Sequence, residues 1–486
     1  MNRAIRRVGG GVIVLVLVLV AQLTYLQIID ADNLEKDPRN VRAALRDVNR
    51  PRGPIVTSDG VLVAESKPSA DGTEFDFQRS YPEGGLFAGV VGYQSFVFGN
   101  TGVERSYNDE LVGRDAELQI ESIPDIVSGE EATGTVELSL RADLQRAAAE
   151  ALGDQRGSVV AIEPSTGKIL AMYSTPTFDP NPLAGHDTKA VQEYFRALQT
   201  DPAKPDLVRS YRERYPPGST FKVVTASVAI ETGTATPDTD YPSLRALDLP
   251  QTDSTLSNFG GSSCGGTLAV SFRRSCNTTF GQVGLDLGDN FIPGMELFGI
   301  NATPPIDLVP GAVSSLGPLQ GTFQDNQPLF AFAGIGQGDV TTTPLEMALI
   351  AAGIANGGVI MEPHVVAAIR DANGDLVRRI DDREWRTAVS PTTAQAVNGM
   401  MVTVVESGTG NAAQVDGVTV AGKTGTAQAP NDQVHAWFIS FAPAEAPQVA
   451  VAVIVEGGGD AGNEATGGEV AAPIARRIIE LALAKP

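Results

Sequence analysis

Ser219 and Lys222 stand three positions apart in Tyr215-Pro-Pro-Gly-Ser-Thr-Phe-Lys222, a hydroxyl and an amine one helical turn from each other. A serine attacks a carbonyl only when a base takes its proton, and a lysine on the same helix face serves if it is kept uncharged. The chain has only 8 lysines, so each one carries information. A second match, Ser165-x-x-Lys168, falls in a turn between two strand-like runs, where side chains share no fixed direction. Ser219 instead begins a helix, whose unpaired backbone N–H groups suit a developing oxyanion.

Two further patterns offer partners. In Ser275-Cys276-Asn277 the hydroxyl is able to relay a proton, and the amide to hold a substrate carbonyl or the lysine. Ser106-Tyr-Asn108 has the same form, so this pattern is weak alone. Lys423-Thr424-Gly425-Thr426 supplies a cation and hydroxyls for a ligand carboxylate, and the gap at Gly425 would let a substrate backbone lie along a strand. The stretch Gly417 to Thr424 also fits the phosphate-loop pattern G-x-x-x-x-G-K-[ST]. Its four intervening residues, Val-Thr-Val-Ala, are strand formers, and no helix N-terminus follows to cradle a phosphate. His186, His364 and His435 stand far apart and approach no metal-ligand spacing. Neither a metal nor a cofactor is expected.

These residues need a scaffold. The 486 residues suffice for two or three domains, and 36 basic against 58 acidic residues, net −22, argue against nucleic-acid binding. Arg3, Arg6 and Arg7 precede an apolar run over 8–29, long enough for a membrane-spanning helix. The positive flank predicts a cytoplasmic tail over 1–7, a signal anchor in the plasma membrane, and the rest of the chain outside the cytoplasm. Residues 30–135 are turn-rich and read as a mostly extended pedestal. Residues 136–486 would form the main domain. There a helix is expected over 140–152, a hairpin over 158–173, buried helices over 219–231 and 343–356, strands over 418–421, 434–441 and 449–455, and a closing helix over 470–484. Strands at both ends with helices between them suggest an α/β or α+β sandwich, with a mainly antiparallel sheet covered by helices. Cys264 and Cys276, twelve positions apart, would be bridged in an oxidising compartment; the alternative is two unpaired buried thiols.

Taken in chain order, Ser219-x-x-Lys222, Ser275-x-Asn277 and Lys423-Thr-Gly425 resemble the motif set of penicillin-binding proteins and serine β-lactamases. The stretches Arg52 to Gly60, Gly102 to Gly113, Gly167 to Ser174, Tyr215 to Lys222 and Gly334 to Gly338 with Thr343-Pro344 are similar to those of the class B, monofunctional penicillin-binding proteins, of the penicillin-binding protein A or division type. The resemblance implies the penicillin-binding transpeptidase fold with an N-terminal, dimerisation-like non-catalytic domain. It further implies Ser219 as acylated nucleophile, Lys222 as its base, Ser275 as proton shuttle and Asn277 on the substrate amide. Lys423, Thr424 and Thr426 would bind the terminal carboxylate beside Gly425, and the backbone N–H groups of Ser219 and Thr426 would form the oxyanion hole. The implied reaction is D,D-transpeptidation of peptidoglycan stem peptides, with β-lactams acylating the same serine. Implied partners are a polytopic membrane glycosyltransferase and division or elongation proteins. A serine β-lactamase, a β-lactam sensor or a non-catalytic cell-wall scaffold are the alternatives. No E-x-x-L-N stretch stands in the chain to activate a deacylating water.

Overall fold

The computed structural model describes residues 2–25, 49–69, 75–121, 133–315, 317, 323–429 and 433–484. Two compact units divide the chain, residues 1–51 with 67–78, and residues 52–66 with 79–486. The first holds α1 (Asn2–Thr24), whose Arg7–Thr24 stretch is apolar enough and long enough to cross a membrane. Residues 26–29 of the expected anchor lie outside the described residues.

In the second unit β1 (Ile55–Val56) pairs antiparallel with β2 (Leu62–Pro68) and parallel with β3 (Thr135–Leu138). Helix α2 (Ala142–Leu152) follows, its first N–H capped from afar by Asp59, whose Oδ1 accepts from Ala142 N at 2.9 Å. Next come β4 (Gly157–Ile162) and β5 (Ile169–Thr175), the expected hairpin, then α3 (Lys222–Glu231), β6 (Cys264–Thr267), α4 (Leu268–Arg274) and α5 (Asn277–Leu287). Helix α6 (Pro344–Ala355) is buried almost throughout, begun by Pro344 and capped by Thr343 Oγ1, which accepts from Glu346 N at 3.1 Å. Strands β7 (Val366–Arg370) and β8 (Leu376–Arg379) leave the main body of sequence and join the N-terminal sheet, β7 pairing antiparallel with β3. Helix α7 (Pro391–Ser407), β9 (Ala421–Gln428), β10 (Val434–Ala442), β11 (Val449–Val455) and α8 (Ala471–Leu483) complete the chain.

The central sheet runs β9-β10-β11-β4-β5 and every pairing is antiparallel. Alternation along β10 sends Trp437, Ile439 and Phe441 into one apolar layer and Ala436, Phe438 and Ala442 into the other. Helices α3 and α6 supply the first layer, and α2 and α8 the second. Both faces are therefore dry, and β9 is an edge strand. The strand expected over 418–421 lies elsewhere: Gly417 has φ 74° and Val418 makes only an isolated bridge to Val415. Asp416 and Gly417 form a turn, Thr419 and Val420 follow it outside any strand, and pairing with β10 begins at Ala421.

Candidate active site

Pro217 leads into a single 3-10 turn, Gly218–Phe221, before α3 begins at Lys222. Ser219 therefore sits ahead of the α-helix expected from 219, on a tighter turn. Gly218 has φ 54°, and a Cβ on it would lie 2.8 Å from Thr426 O. A Cβ on Gly425 would lie 2.9 Å from both Pro217 O and Thr220 Cγ2. Two glycines thus let the turn and the edge strand touch. The gap at Gly425 is filled by the turn rather than left open for a substrate backbone. Trp437 Nε1 donates to Pro216 O at 3.0 Å, and Gly218 N to Gly336 O at 2.9 Å, which pins the turn from two further sides.

Helix α4 ends at Ser275, a non-glycine residue in the left-handed region with φ 61° and ψ 40°. That sharp reversal aims both the carbonyl and the hydroxyl of Ser275 at Lys222. Lys222 Nζ donates to Ser275 O at 2.8 Å and to Asn277 Oδ1 at 2.8 Å, and lies 3.3 Å from Ser275 Oγ. From the other side Lys423 Nζ donates to Ser275 Oγ at 3.0 Å and to Thr424 O at 3.0 Å. Cys276, between Ser275 and Asn277, is bridged to Cys264 of β6 with Cα atoms 5.4 Å apart. Three separate sequence patterns meet on one hydroxyl. Ser219 Oγ makes no hydrogen bond among the described residues; the pair Ser219 and Lys222 share a turn, while the amine is engaged with Ser275 and Asn277.

Lys222 and Lys423 are fully buried, and no carboxylate pairs with either among the described residues. Burial, and then the neighbouring Lys423 charge, hold the Lys222 ammonium well below the ordinary lysine range, while burial lowers Lys423 to about 7. Aromatic faces compensate in part: Nζ of Lys222 lies 5.5 Å from the Phe280 ring centroid and that of Lys423 lies 5.7 Å from Phe272. The hydrogen-bond parity fits one proton arrangement. A neutral Lys222 spends its two N–H bonds on Ser275 O and Asn277 Oδ1 and keeps its lone pair for a hydroxyl proton. A charged Lys423 donates to Ser275 Oγ, whose own proton is then free to point at Lys222.

Thr424 and Thr426 face the opposite side of β9 from Lys423 and Gly425, as strand alternation requires. Thr424 Oγ1 lies 2.6 Å from Thr409 Oγ1, a partner the sequence did not suggest, since nothing marks the loop after α7. Phe272 and Phe280 did leave a signal: each stands one helical turn outside Ser275 or Asn277. The decoys are elsewhere. Lys168 belongs to the β4–β5 turn, 3.7 Å from Asp382, and Asn108 Oδ1 accepts from Arg52. The Gly417 to Thr424 stretch ends in a strand.

Residues 157–480 match the penicillin-binding protein transpeptidase domain family, and residues 52–136 match the penicillin-binding protein A dimerisation domain family. This chain belongs to the penicillin-binding protein transpeptidases. Among its relatives, peptidoglycan D,D-transpeptidase PbpA of Mycolicibacterium smegmatis is 41% identical over 99% of both chains, and that of Mycobacterium tuberculosis is 38% identical over 99% of both. The penicillin-binding protein A structure from M. tuberculosis, solved as a ceftriaxone acyl-enzyme complex, superposes with a TM-score of 0.84 at 37% identity. It covers 90% of this chain and is itself covered in full. The penicillin G acyl-enzyme complex of the same protein gives 0.81 at 37% identity, with 89% of this chain and all of that one covered. The expected fold class, a mainly antiparallel sheet covered by helices with an N-terminal non-catalytic part, is the family's.

Proposed function

We infer that this chain is a serine D,D-transpeptidase that cross-links peptidoglycan stem peptides and is acylated by β-lactams. One observation carries the reading: the Ser275 hydroxyl stands between two buried amines that have no carboxylate partner among the described residues, at 3.3 and 3.0 Å, beside the turn that presents Ser219. Ser219 Oγ attacks the penultimate D-Ala carbonyl and its proton passes to the neutral Lys222 amine. The oxyanion meets the N–H groups of Ser219 and Thr426. Collapse breaks the amide bond, the proton leaves with D-Ala, and the amine of a second stem peptide attacks the Ser219 ester to restore the serine. Lys423, with Thr424 and Thr426, takes the terminal carboxylate, and Asn277 the substrate amide.

The apolar helix α1 supports a single-pass anchor in the plasma membrane, with residues 1–7 cytoplasmic and the catalytic part, 136–486, outside. Residues 30–135 act as a non-catalytic pedestal. In wall synthesis the chain works beside a membrane glycosyltransferase and division or elongation proteins. Intact-mass spectrometry of the full chain after benzylpenicillin treatment tests the chemistry. A persistent adduct that Ser219→Ala abolishes is expected; rapid turnover of a chromogenic cephalosporin, leaving no adduct, would instead make it a β-lactamase.

A further inference from the structure

Ser219 stands four residues beyond Tyr215, and the hydroxyl of Tyr215 is tied to the far end of β11. Tyr215 OH donates to Glu456 Oε1 at 2.6 Å, and Arg209 Nε donates to the same oxygen at 2.8 Å. Arg156 Nε lies 3.3 Å from Oε2. Arg209, of the short helical turn Arg209–Arg212, is fully buried, and Tyr215 is buried with it. None of the four supplies an atom to the acylation.

Glu456 is a fixed post. It follows β11 directly, its N–H donates to Arg156 O at 2.8 Å, and the next N–H, of Gly457, donates to His435 Nδ1 at 3.2 Å. Its backbone is thus held to the ends of the central sheet. Tyr215 is held to that post by a charge-assisted bond, about twice as strong as one between neutral groups. Burial, and after it the Glu456 carboxylate, push the Tyr215 phenol above the ordinary tyrosine range, so it stays a donor wherever the lysines titrate. Its ring meets His435 and Trp437 edge-on, with centroids 5.4 and 6.2 Å apart.

The chain that leaves Glu456 returns to the other wall of the site. Gly467 has no room for a Cβ against Gly425 O and Trp437 O, and Gly468 has none against Thr409 O. Gly425 is therefore met by the nucleophile turn and by Gly467 alike, and residues 456–468 hold the turn at their start and β9 at their end. Resting on the transpeptidase reading, we propose that Glu456 is a positioning residue for the reaction. Through the Tyr215 hydroxyl it fixes where the Ser219 turn stands against β9, and so the distance from Ser219 Oγ to a carbonyl whose neighbouring carboxylate is held on β9. Attack geometry is steep, a displacement of 1 Å costing about 10²-fold in rate, so one bond four residues away is enough to matter.

The test follows benzylpenicillin acylation of the full chain in detergent, resolved into a limiting rate at saturation and an apparent dissociation constant. Tyr215→Phe keeps the ring and deletes the hydroxyl alone. Its limiting rate should fall about tenfold, the scale of a displacement of about half an ångström, with the dissociation constant within about twofold of wild type. Glu456→Gln should lower the limiting rate in the same way. The double variant should be no slower than Tyr215→Phe, because both changes act through one bond. A merely structural role would instead lower the fraction of molecules that acylate and leave the rate of the others unchanged. A Tyr215→Phe limiting rate within about twofold of wild type, a loss that falls on the dissociation constant, or a double variant slowed by the product of the single effects would overturn the positioning role. If Glu456→Gln fails to fold, Tyr215→Phe alone decides; if Tyr215→Phe fails to fold, the limiting rate and dissociation constant of Glu456→Gln decide. Absence of any adduct on the wild type would overturn the transpeptidase reading itself.

Discussion

Two clusters of buried charge lie in the same compact unit and are built on opposite plans. Near the N-terminal sheet, Glu104 is fully buried between Arg52, whose Nη2 is 2.9 Å from Oε2, and Arg79, whose Nε is 2.6 Å from Oε1. Tyr81 OH adds a bond to Oε1 at 3.2 Å, and Arg52 also donates to Glu104 O and Asn108 Oδ1. Burial by itself would raise the Glu104 carboxyl, but Arg79 and Arg52 outweigh it and hold the group below its usual value. At the active site the buried charges are alike in sign, and among the described residues no carboxylate answers them. There burial is compensated only by aromatic faces, so the Lys222 ammonium is held well below the ordinary lysine range and Lys423 is lowered to about 7. A paired buried ion locks a conformation; an unpaired one stores a titratable proton, the requirement for a base.

The largest expected difference between the clusters is in acylation. Lys222→Met should slow benzylpenicillin acylation of Ser219 by about 10³–10⁴-fold, the range for removing a general base, with the far-UV circular dichroism unchanged. A residual rate within tenfold of wild type would remove Lys222 from the base role. Glu104→Gln should do the reverse. Leaving two buried guanidiniums against a neutral amide costs about 3–5 kcal/mol, read as a lowered urea midpoint. Acylation per folded molecule should stay within about twofold, since the sites share no partner. The Glu104 pKa is depressed on folding, so its contribution is complete above the ordinary glutamate value and is lost as pH falls through the folded one. The wild type should therefore lose its stability advantage over Glu104→Gln in acid.

The lysines act in a different pH window. Their folded pKa values are lowered, so between about 7, the value for Lys423, and the free-lysine value the unfolded chain binds more protons than the native one. Stability rises with pH across that window. The acylation rate should trace a bell, with a rising limb as Lys222 loses its proton well below the free-lysine value and a falling limb as Lys423 loses its charge from about 7 upward. The two limbs belong to the coupled pair. A profile with no ionisation below the ordinary lysine range would break the contrast between the clusters.

The two clusters were also unequally legible in the sequence. Ser219, Lys222, Ser275, Asn277 and Lys423 stand in short motifs of fixed spacing that the fold brings together, and scarce lysine made them easy to see. The central sheet and its covering helices were legible from periodicity. Glu104 was not, because Arg52, Arg79 and Glu104 come from distant segments and a buried charge reads in sequence as a solvated one. The β7–β8 hairpin, which leaves the catalytic sequence to extend the N-terminal sheet, carries no local mark of its destination. Val418 to Ala421 misled for a related reason: β-branched residues favour a strand anywhere, but the partner strand, absent from local sequence, decides where pairing begins.

The smallest expected effect concerns Ser275. Its left-handed backbone costs about 1–2 kcal/mol for a residue with a Cβ, yet that conformation is what turns both its oxygens toward Lys222. The adjoining Cys276–Cys264 bridge closes a loop of sequence separation 12 across this point and limits the alternatives the loop is able to adopt. With the bridge opened, unstrained conformers of Ser275 compete, and the fraction of molecules with the hydroxyl between the two amines falls by up to about tenfold, the population equivalent of about 1.4 kcal/mol. Benzylpenicillin acylation of a Cys264→Ser, Cys276→Ser variant should therefore slow by about threefold to tenfold, with the pH limbs shifted less than the rate. The urea dependence of the Arg52–Glu104–Arg79 region, followed by hydrogen exchange, should be unaltered at the same time, because the bridge joins Cys264 and Cys276 in other segments of the chain. An acylation rate identical to wild type would mean that the hydrogen bonds from Lys222 and Lys423 hold Ser275 without help.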